Sequence, residues 1–452
     1  MSFPTDTVAA LATPIGTSAI AVVRVSGPEV QALVQGIFKE IPPVRSARHA
    51  DYRDIHGQLV DDVLFTYFAG PKSFTGEDSL EISCHGNPFI AQKILEDLLT
   101  RGCQPAEPGE FSKRAFLNGR MDLSQAEAIM DLIHARSDRA LMAANQQLRG
   151  ALGRKMEELI TLLVKILANI EAYIDFPDED LPSEDRDAIL KQLDQLMAGT
   201  KQLLATSHYG ELLREGIKTV IVGEPNAGKS SLLNRLVGRD RALVSAEPGT
   251  TRDYLEERVI IGSHGLRLID TAGLNPSAGS LEKLGIEKAL EQAETADLFL
   301  WVVDASRPPP ALLPALCQRM TVENTVVVFN KADLLGEAAH PLPTLNGFRT
   351  VTLSALRGYG LDTLEAAVMS LAESFQVQVG SELIAINARH AQALKDAQQC
   401  LDAAWMKLGD EEKRELMASD LRGALEAFGS ISGKIDNEII LDRLFSNFCI
   451  GK

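Results

Sequence analysis

The feature that most constrains the fold is a glycine-rich turn set between a strand and a helix. Thr219-Val-Ile-Val222 is a short β-branched run that passes into Gly223-Glu-Pro-Asn-Ala-Gly228-Lys229-Ser230-Ser231, after which apolar residues recur at helical spacing. A phosphate-binding loop requires this order. Its glycines let backbone N–H groups approach phosphate oxygens, and the N-terminus of the next helix adds positive potential. The spacing assigns Asn226, Ala227, Gly228, Lys229, Ser230 and Ser231 to a nucleotide site, with Lys229 on the β and γ oxygens and Ser230 as a magnesium ligand.

The segments around this loop carry the rest of such a site. Lys218-Thr-Val-Ile-Val, Leu266-Arg-Leu-Ile, Leu298-Phe-Leu-Trp-Val-Val, Thr325-Val-Val-Val-Phe and Thr350-Val-Thr-Leu alternate with helical runs, which predicts a parallel sheet with crossover helices. Asp270-Thr271-Ala272-Gly273 ends one strand and is expected to bring a magnesium-shell carboxylate and a γ-phosphate-sensing N–H opposite the loop. Asn330-Lys331-Ala332-Asp333 ends another. A carboxylate at Asp333 accepts from both N1–H and the N2 amino group of guanine, a donor pair that adenine lacks, so the motif argues for GTP over ATP. Ser354-Ala355-Leu356 is expected to turn a backbone N–H towards guanine O6. Gly249-Thr250-Thr251 occupies the place of a switch loop, with Thr251 as second magnesium ligand. Five motifs in this order argue against coincidence. Leu274 stands where Ras-like enzymes put a water-orienting glutamine; Glu282 is the nearest carboxylate, and its spacing alone fits an exposed helix-start residue better.

Length and composition bound the remainder. A chain of 452 residues predicts about three domains. With 45% hydrophobic and 24% charged residues it has the means to build packed cores. A net charge of −17 argues against a surface that grips nucleic acid over its whole area, so RNA contacts are local or borrowed from a partner. The five cysteines, Cys84, Cys103, Cys317, Cys400 and Cys449, are scattered without a C-x-x-C pair, which excludes a zinc knuckle and disfavours a disulfide framework. The first basic residue, Arg24, follows the apolar stretch, and no run of 18 apolar residues occurs, so neither a secretory signal nor a spanning helix is expected; a cytoplasmic location is.

The fold class is therefore multidomain, α/β with all-α. Residues 1–118 read as mixed α/β: Ala19 to Val25, Val63 to Phe68 and Ser79 to Ser83 are short strands, and Ile90 to Leu99 is a helix. Residues 119–215 read as the first part of a helical domain, opened by a capping box at Ser124-Gln-Ala-Glu127 and carried through Ile129, Ile133, Leu148, Leu152, Leu159 and Leu163. Asp175 to Asp187 is an acidic loop. Residues 216–375 form the nucleotide domain. Residues 376–452 return to helix through Ile384 to Lys407, Glu411 to Phe428 and Asp436 to Phe445. A compact domain with close termini can be inserted into another, so the nucleotide domain reads as an insertion in a discontinuous helical domain.

Motifs at both ends of the chain make the reading more specific. Ala12-Thr-Pro14, Val23-Arg-Val-Ser-Gly27, Ser73-Phe-Thr-Gly-Glu-Asp78, His85-Gly86, Pro108-Gly-Glu-Phe111, Arg114-Ala-Phe-Leu-Asn-Gly-Arg120, Asp122-Leu-Ser-Gln-Ala-Glu-Ala128 and Phe448-Cys-Ile-Gly-Lys452, together with the nucleotide motifs, resemble the tRNA wobble-uridine modification GTPases of the MnmE (TrmE) family. The resemblance spans essentially the whole chain. It implies a tetrahydrofolate-binding-like N-terminal domain that also forms a homodimer, a helical domain, and an inserted Ras-like P-loop GTPase domain. It implies work with an FAD-carrying flavoprotein of the MnmG (GidA) type, adding an aminomethyl or carboxymethylaminomethyl group to C5 of the wobble uridine of tRNA from a 5-formyl or 5,10-methylene tetrahydrofolate. It further implies a potassium ion held by Asn226 and the loop positions Ser245, Glu247 and Thr250, within a nucleotide-contacting segment that includes Ala246, Pro248 and Gly249. Such a cation would offset developing phosphate charge without an arginine finger. The resemblance makes Glu282 the favoured residue for positioning the attacking water.

Folate contacts implied by the resemblance are Arg24, Glu81, Arg120 and Lys452. Their chemistry suits the ligand, since a pterin edge offers guanine-like donors to a carboxylate and cations meet its carboxylates. Read from the sequence alone, Arg24 equally fits a polar residue on the open face of a strand, and Arg120 an ordinary surface cation. Cys449 has two readings of equal weight, a small apolar anchor for the tail or a thiolate that attacks C6 of uracil. Lys113, Arg114 and Arg120 form the basic cluster nearest to hand for RNA. Asn275-Pro276 stands where many relatives carry an arginine, so no salt link is expected there. The competing function is a GTP-dependent binding switch without chemistry of its own; the absence of a basic C-terminal segment or a KH-type Gly-x-x-Gly loop favours the enzyme.

Overall fold

The computed structural model describes residues 6–175, 186–240, 256–270, 291–310, 314–335, 345, 347–376, 383–433 and 448–451. Along the chain these form β1 (Val8–Leu11), β2 (Ile20–Ser26), α1 (Val30–Phe38), β3 (Ala47–Arg53), β4 (Leu59–Phe68), β5 (Ser79–His85), α2 (Pro88–Thr100), β6 (Gln104–Pro105), α3 (Glu110–Leu117), α4 (Leu123–His134), α5 (Asp138–Leu148), α6 (Ala151–Asp175), α7 (Arg186–Ala205) and α8 (Ser207–Glu215). They continue as β7 (Ile217–Val222), α9 (Lys229–Asp240), β8 (Glu256–Ile261), β9 (His264–Asp270), β10 (Leu298–Asp304), α10 (Pro314–Cys317), β11 (Thr325–Asn330), β12 (Arg349–Thr352), α11 (Leu361–Ser374), α12 (Ala388–Lys407) and α13 (Arg414–Ser432). The multidomain reading, α/β with helical parts, holds. By packing, the chain divides into two units: Met1–Met130 with Leu152–Ile160 and Leu425–Lys452, and Asp131–Ala151 with Thr161–Ala424. No helix among the described residues is long and apolar enough to cross a membrane.

The first unit is organised by a six-stranded sheet of order β3-β4-β5-β2-β1-β6, in which only β1 and β6 pair in parallel. Its strands alternate, because α1 and α2 pack on one face while the other carries polar residues and a smaller cluster of Val8, Ala10, Ala106 and Phe111. Val23, Val25, Phe65, Leu80 and Ile82 point into a core closed by Val30 and Val34 of α1 and Ile94 and Leu98 of α2. Arg24 and Glu81 lie between these core positions on the opposite face and are direct cross-strand partners. Strands β1 and β3 escape the sequence reading: Val8–Leu11 is only four residues long, and Ala47–Arg53 is a charged edge strand whose polarity masks its alternation.

The second unit contains a six-stranded sheet of order β12-β11-β10-β7-β9-β8. All of its pairs are parallel except β8 with β9. Strands β10 and β11 are buried along nearly their whole length, as central parallel strands covered on both faces must be. The antiparallel edge strand β8 was not expected. The stretches of chain before and after this sheet meet: Arg214 of α8 donates to the Asp131 carboxylate at 2.9 Å and to the Ile386 carbonyl at 3.1 Å. Gly210 fits there because a Cβ would come within 2.3 Å of the Ile386 oxygen.

Three boundaries differ from the sequence reading. The capping box before α4 is made by Asp122 and not by Ser124: Gln125 N–H donates to Asp122 Oδ1 at 2.8 Å and Asp122 N–H to Gln125 Oε1 at 2.9 Å, while the Ser124 hydroxyl supports the same carboxylate. The expected continuous helical stretch is divided into α4, α5 and α6, because Ser137 caps α5 and Gly150 takes φ 82°. Helix α12 begins at Ala388 rather than Ile384, since Asn387 and His390 form its capping box and leave Ile384 and Ile386 outside the helix and buried. The acidic stretch 176–185 and the expected helix from Asp436 to Phe445 lie outside the described residues.

Candidate functional site

The nucleotide motifs converge at the C-terminal ends of β7, β10 and β11, where a parallel sheet holds its ligands. Gly223 leaves β7 with φ 148°, and a Cβ there would lie 2.2 Å from the Val302 carbonyl oxygen. Asn226 sits in the left-handed region at φ 63° and is exposed at the tip of the loop. Gly228, φ 96°, has no room for a side chain either, since a Cβ would come within 2.2 Å of Asn330 Nδ2. Only glycine fits at both places, so the loop runs close against β10 and β11 at the start of α9, where a helix N-terminus favours an anion. Lys229, buried at the start of α9, donates from Nζ to the carbonyls of Gly223 at 2.8 Å and Glu224 at 2.9 Å, so its cation stands over the loop. Ser230 follows in the first turn, exposed, with an oxygen suited to a hard divalent cation.

The base side is held by a second network. Asn330, buried at the end of β11, donates from Nδ2 to the Ala227 carbonyl at 2.9 Å and accepts from the Ala355 N–H at 3.0 Å. One side chain thus ties the phosphate loop to the loop after β12. Lys331 turns the chain through φ 61° and pairs with Asp304 at 2.7 Å. Burial pushes the Asp304 carboxyl up, but hydrogen bonds from Lys331 and from the hydroxyl and N–H of Ser306 outweigh it and hold it down at about 2. Asp333 lies in a short 3₁₀ turn with Ala332 and accepts from the Ser354 hydroxyl at 2.6 Å on Oδ1, which leaves Oδ2 for a ligand. Leu356 is exposed at the tip of the last loop. Two further residues serve this network without having been expected, Asp304 beneath Lys331 and Arg235, which reaches from α9 to the carbonyls of Ala355 and Leu356. Asp304 closes a strand as Asn330 does, and that shared position was the available signal.

Asp270 closes β9 beside the phosphate loop, in the register Ile221 to Asp270. Thr271, Ala272, Gly273, Glu282, the positions Ser245, Ala246, Glu247, Pro248, Gly249, Thr250 and Thr251, and the terminal Lys452 lie outside the described residues, as do Leu274, Asn275 and Pro276.

A second constellation forms in the first unit. Arg24 donates from Nε and Nη2 to Glu81 Oε1 at 3.0 and 2.8 Å, and from Nη1 to the Gly451 carbonyl at 3.2 Å. Its guanidinium lies 5.6 Å from the ring centroids of both Phe74 and Phe111, a cation–π setting for a half-buried charge. Both carboxylate bonds fall on Oε1, which leaves Oε2 to accept from the N–H edge of a heterocycle. The segment Ser73 to Asp78 links this pair to Arg120: Phe74 faces Arg24, while a Cβ on Gly76 would touch the Arg120 stem at 3.2 Å. Asp78 pins the segment by accepting from Tyr67 at 2.9 Å and from the Gly70 N–H at 2.8 Å; burial and this carboxylate push the Tyr67 hydroxyl up to about 12. A carboxylate, a cation between aromatic rings and a second cation fit a ligand with a donor-rich ring and an anionic tail.

The tail docks through Phe448, which is buried against Leu123, Ala126, Phe116, Met121 and Met130. Gly451 takes φ 92° where a Cβ would stand 2.3 Å from the Leu11 oxygen. Cys449 is exposed, so the anchor is Phe448 and the apolar-anchor reading of the cysteine falls. The expected basic cluster also changes. Arg114 is 1% exposed and is held by Glu110 at 2.6 Å, Asp6 at 2.9 Å and Glu77 at 3.3 Å, so it offers no surface charge to RNA. Its charge is consumed by three carboxylates that its i, i+4 spacing to Glu110 only partly reveals.

The geometry agrees with comparisons to known proteins. The N-terminal region, residues 7–120, matches the family described as GTP-binding protein TrmE N-terminus, and residues 123–449 match the MnmE helical domain. The protein named tRNA modification GTPase MnmE from Opitutus terrae is 57% identical over 99% of both chains. Those of the same name from Akkermansia muciniphila and Clostridioides difficile are 44% and 39% identical, each over the full length of both chains. The chain belongs to the MnmE family of tRNA modification GTPases.

Proposed function

We propose that this chain, a GTP hydrolase by family, couples hydrolysis to modification of C5 of the wobble uridine in tRNA, adding an aminomethyl or carboxymethylaminomethyl group together with an FAD-bearing flavoprotein of the MnmG type. The observation that carries the reading is Asn330 bridging Ala227 and Ala355, which holds the phosphate loop and the base loop in one site with Asp333 beside it. Lys229 holds the β and γ phosphates, and Asp333 reads the N1 and N2 donors of guanine. Ser230 and Thr251 would hold a magnesium ion, and Asn226, Ser245, Glu247 and Thr250 a potassium ion, each of which would supply positive charge to offset charge developing on the phosphates. Glu282 orients the attacking water.

In the N-terminal constellation Arg24, Glu81, Arg120 and Lys452 bind a tetrahydrofolate, whose chemistry when bound is supply of the one-carbon unit. The pairing of Arg24 with Glu81 and Gly451 supports this reading, because it closes the site with the end of the chain. The exposed Cys449 thiol stands within two residues of that contact, where a thiolate can attack uracil C6. The domains are residues 1–118, which also carry the homodimer contact, 119–215 and 376–452, which form the helical frame, and 216–375, the inserted GTPase domain. The enzyme works in the cytoplasm, with most of the tRNA held by the partner.

Nucleoside analysis of tRNA from cells with and without this chain tests the proposal. The C5-modified wobble uridine disappears with the chain; unchanged modification overturns it.

A further inference from the structure

The loop after β12 reaches the base site from outside the sheet. Leu356 at its tip is 75% exposed and buries little of its side chain. The loop closes on itself through Ser354 N–H to the Tyr359 carbonyl at 3.1 Å and Gly358 N–H to the Ser354 carbonyl at 2.7 Å. Those bonds, with the Arg357 N–H donating to the Ser354 hydroxyl oxygen at 3.1 Å, hold the loop from inside and leave the carbonyls of Ala355 and Leu356 to be gripped from elsewhere. Arg235 does this. Its Nε donates to the Ala355 carbonyl at 3.1 Å and its Nη2 to the Leu356 carbonyl at 2.9 Å. A Cβ at Gly358 would lie 3.1 Å from Nη2, so the loop is shaped closely around the guanidinium.

Two consequences follow from peptide geometry. A trans peptide points its C=O and N–H in opposite directions, so holding the Ala355 carbonyl on the α9 side turns the Leu356 N–H away from that helix. The Ala355 N–H is already taken by Asn330 Oδ1, so the orientation of the next peptide decides what donor the loop offers to a base. Arg235 stands six residues after Lys229 on the same helix, one carrying the phosphate cation and the other the loop grip. The fork geometry of a guanidinium is what allows two neighbouring carbonyls to be held at once; an ammonium is a single point of attachment.

We propose that Arg235 is a positioning residue for guanine recognition: by gripping the Ala355 and Leu356 carbonyls it aims the backbone N–H of this loop at the O6 of the base. The proposal rests on the guanine reading of the site and adds to it the group that fixes one of its three base contacts. Arg235 does not itself touch the nucleotide.

The test uses equilibrium binding of three triphosphates to the full chain. 6-Thioguanosine triphosphate differs from GTP only at the O6 acceptor, and inosine triphosphate lacks only the 2-amino group that Asp333 reads. The wild-type chain is expected to prefer GTP over the thio analogue by about tenfold. In Arg235→Ala that preference falls to about twofold or less, while the preference for GTP over inosine triphosphate is unchanged. Arg235→Lys gives an intermediate thio ratio, and decides the matter if the alanine variant does not fold. A full thio preference retained in both variants overturns the role of Arg235. A wild-type chain that fails to prefer GTP over inosine triphosphate overturns the guanine reading instead. Equal loss of both preferences assigns Arg235 to general folding of the domain and overturns the proposal.

Discussion

Arg24 donates to the carbonyl of Gly451 at 3.2 Å, so the second strand of the chain is bonded to its last residues. The same guanidinium is paired with Glu81, and the tail that brings Gly451 is secured by Phe448. The C-terminal tail is thus part of the N-terminal constellation.

Phe448→Ala should release the tail. Burying a phenylalanine is worth about 2–3 kcal/mol, and the other described tail residues, Cys449, Ile450 and Gly451, bury little side chain to replace it. Affinity for 5-formyltetrahydrofolate, measured by calorimetry, is expected to fall about tenfold or more, with GTP hydrolysis unchanged. Undiminished folate affinity would separate the tail from that site.

Asp333→Asn should change the base preferred. Ser354 already occupies Oδ1 of Asp333, so the atom left for the base is Oδ2, and in the variant an amide donor can stand where guanine needs an acceptor. GTP affinity is expected to fall by about two orders of magnitude. Xanthosine triphosphate, with an acceptor in place of the 2-amino group, should gain. A fluorescent-nucleotide competition assay reads both, and retained preference for GTP would contradict the base contact.

The Asp304 carboxyl, held at about 2, makes the Lys331 turn sensitive to acid. Its folded pKa lies below the unfolded carboxylate value of about 3.9. The stability it contributes is therefore fully present above that value and is lost as pH falls towards 2. Asp304→Asn should be less stable than the wild type at pH 7, and the gap should close between about pH 4 and pH 2. Denaturant midpoints of the two proteins across that range give the measurement; a gap independent of pH would assign the loss to packing.

How far the sequence foretells this molecule depends on where each interaction partner sits. The phosphate loop is one contiguous run, so Gly223 and Gly228 can be read directly from their spacing, whereas the atoms that leave no room for a Cβ there, the Val302 carbonyl oxygen and Asn330 Nδ2, are far away in sequence and cannot. The strands β10 and β11 are continuous apolar runs and are equally plain. Strand β3 and the edge strand β8 are not, since an edge tolerates charge and loses the apolar signature. Arg114 looked like a surface cation because two of its three carboxylate partners, Asp6 and Glu77, are 108 and 37 residues away. Arg235 went unnoticed for the same reason, as its carbonyl partners lie 120 and 121 residues on and carbonyls leave no trace in residue type.

The buried position of Arg114 supplies the last prediction. Three carboxylates, Glu110, Asp6 and Glu77, converge on its guanidinium, and Glu77 also accepts from the Ser26 hydroxyl at 2.8 Å. Removing the cation leaves like charges facing one another in a partly buried setting, which costs about 3 kcal/mol even with the exposure of Asp6 taken into account. Arg114→Leu should therefore lower the denaturant midpoint of the first unit strongly, whereas Arg120→Ala, at an exposed position, should change stability by less than about 0.5 kcal/mol. Restoring the balance with Arg114→Leu combined with Glu110→Gln should recover part of the loss. If Arg114→Leu instead left stability intact and weakened tRNA binding, the residue would belong to an RNA surface and its burial would have to open in solution.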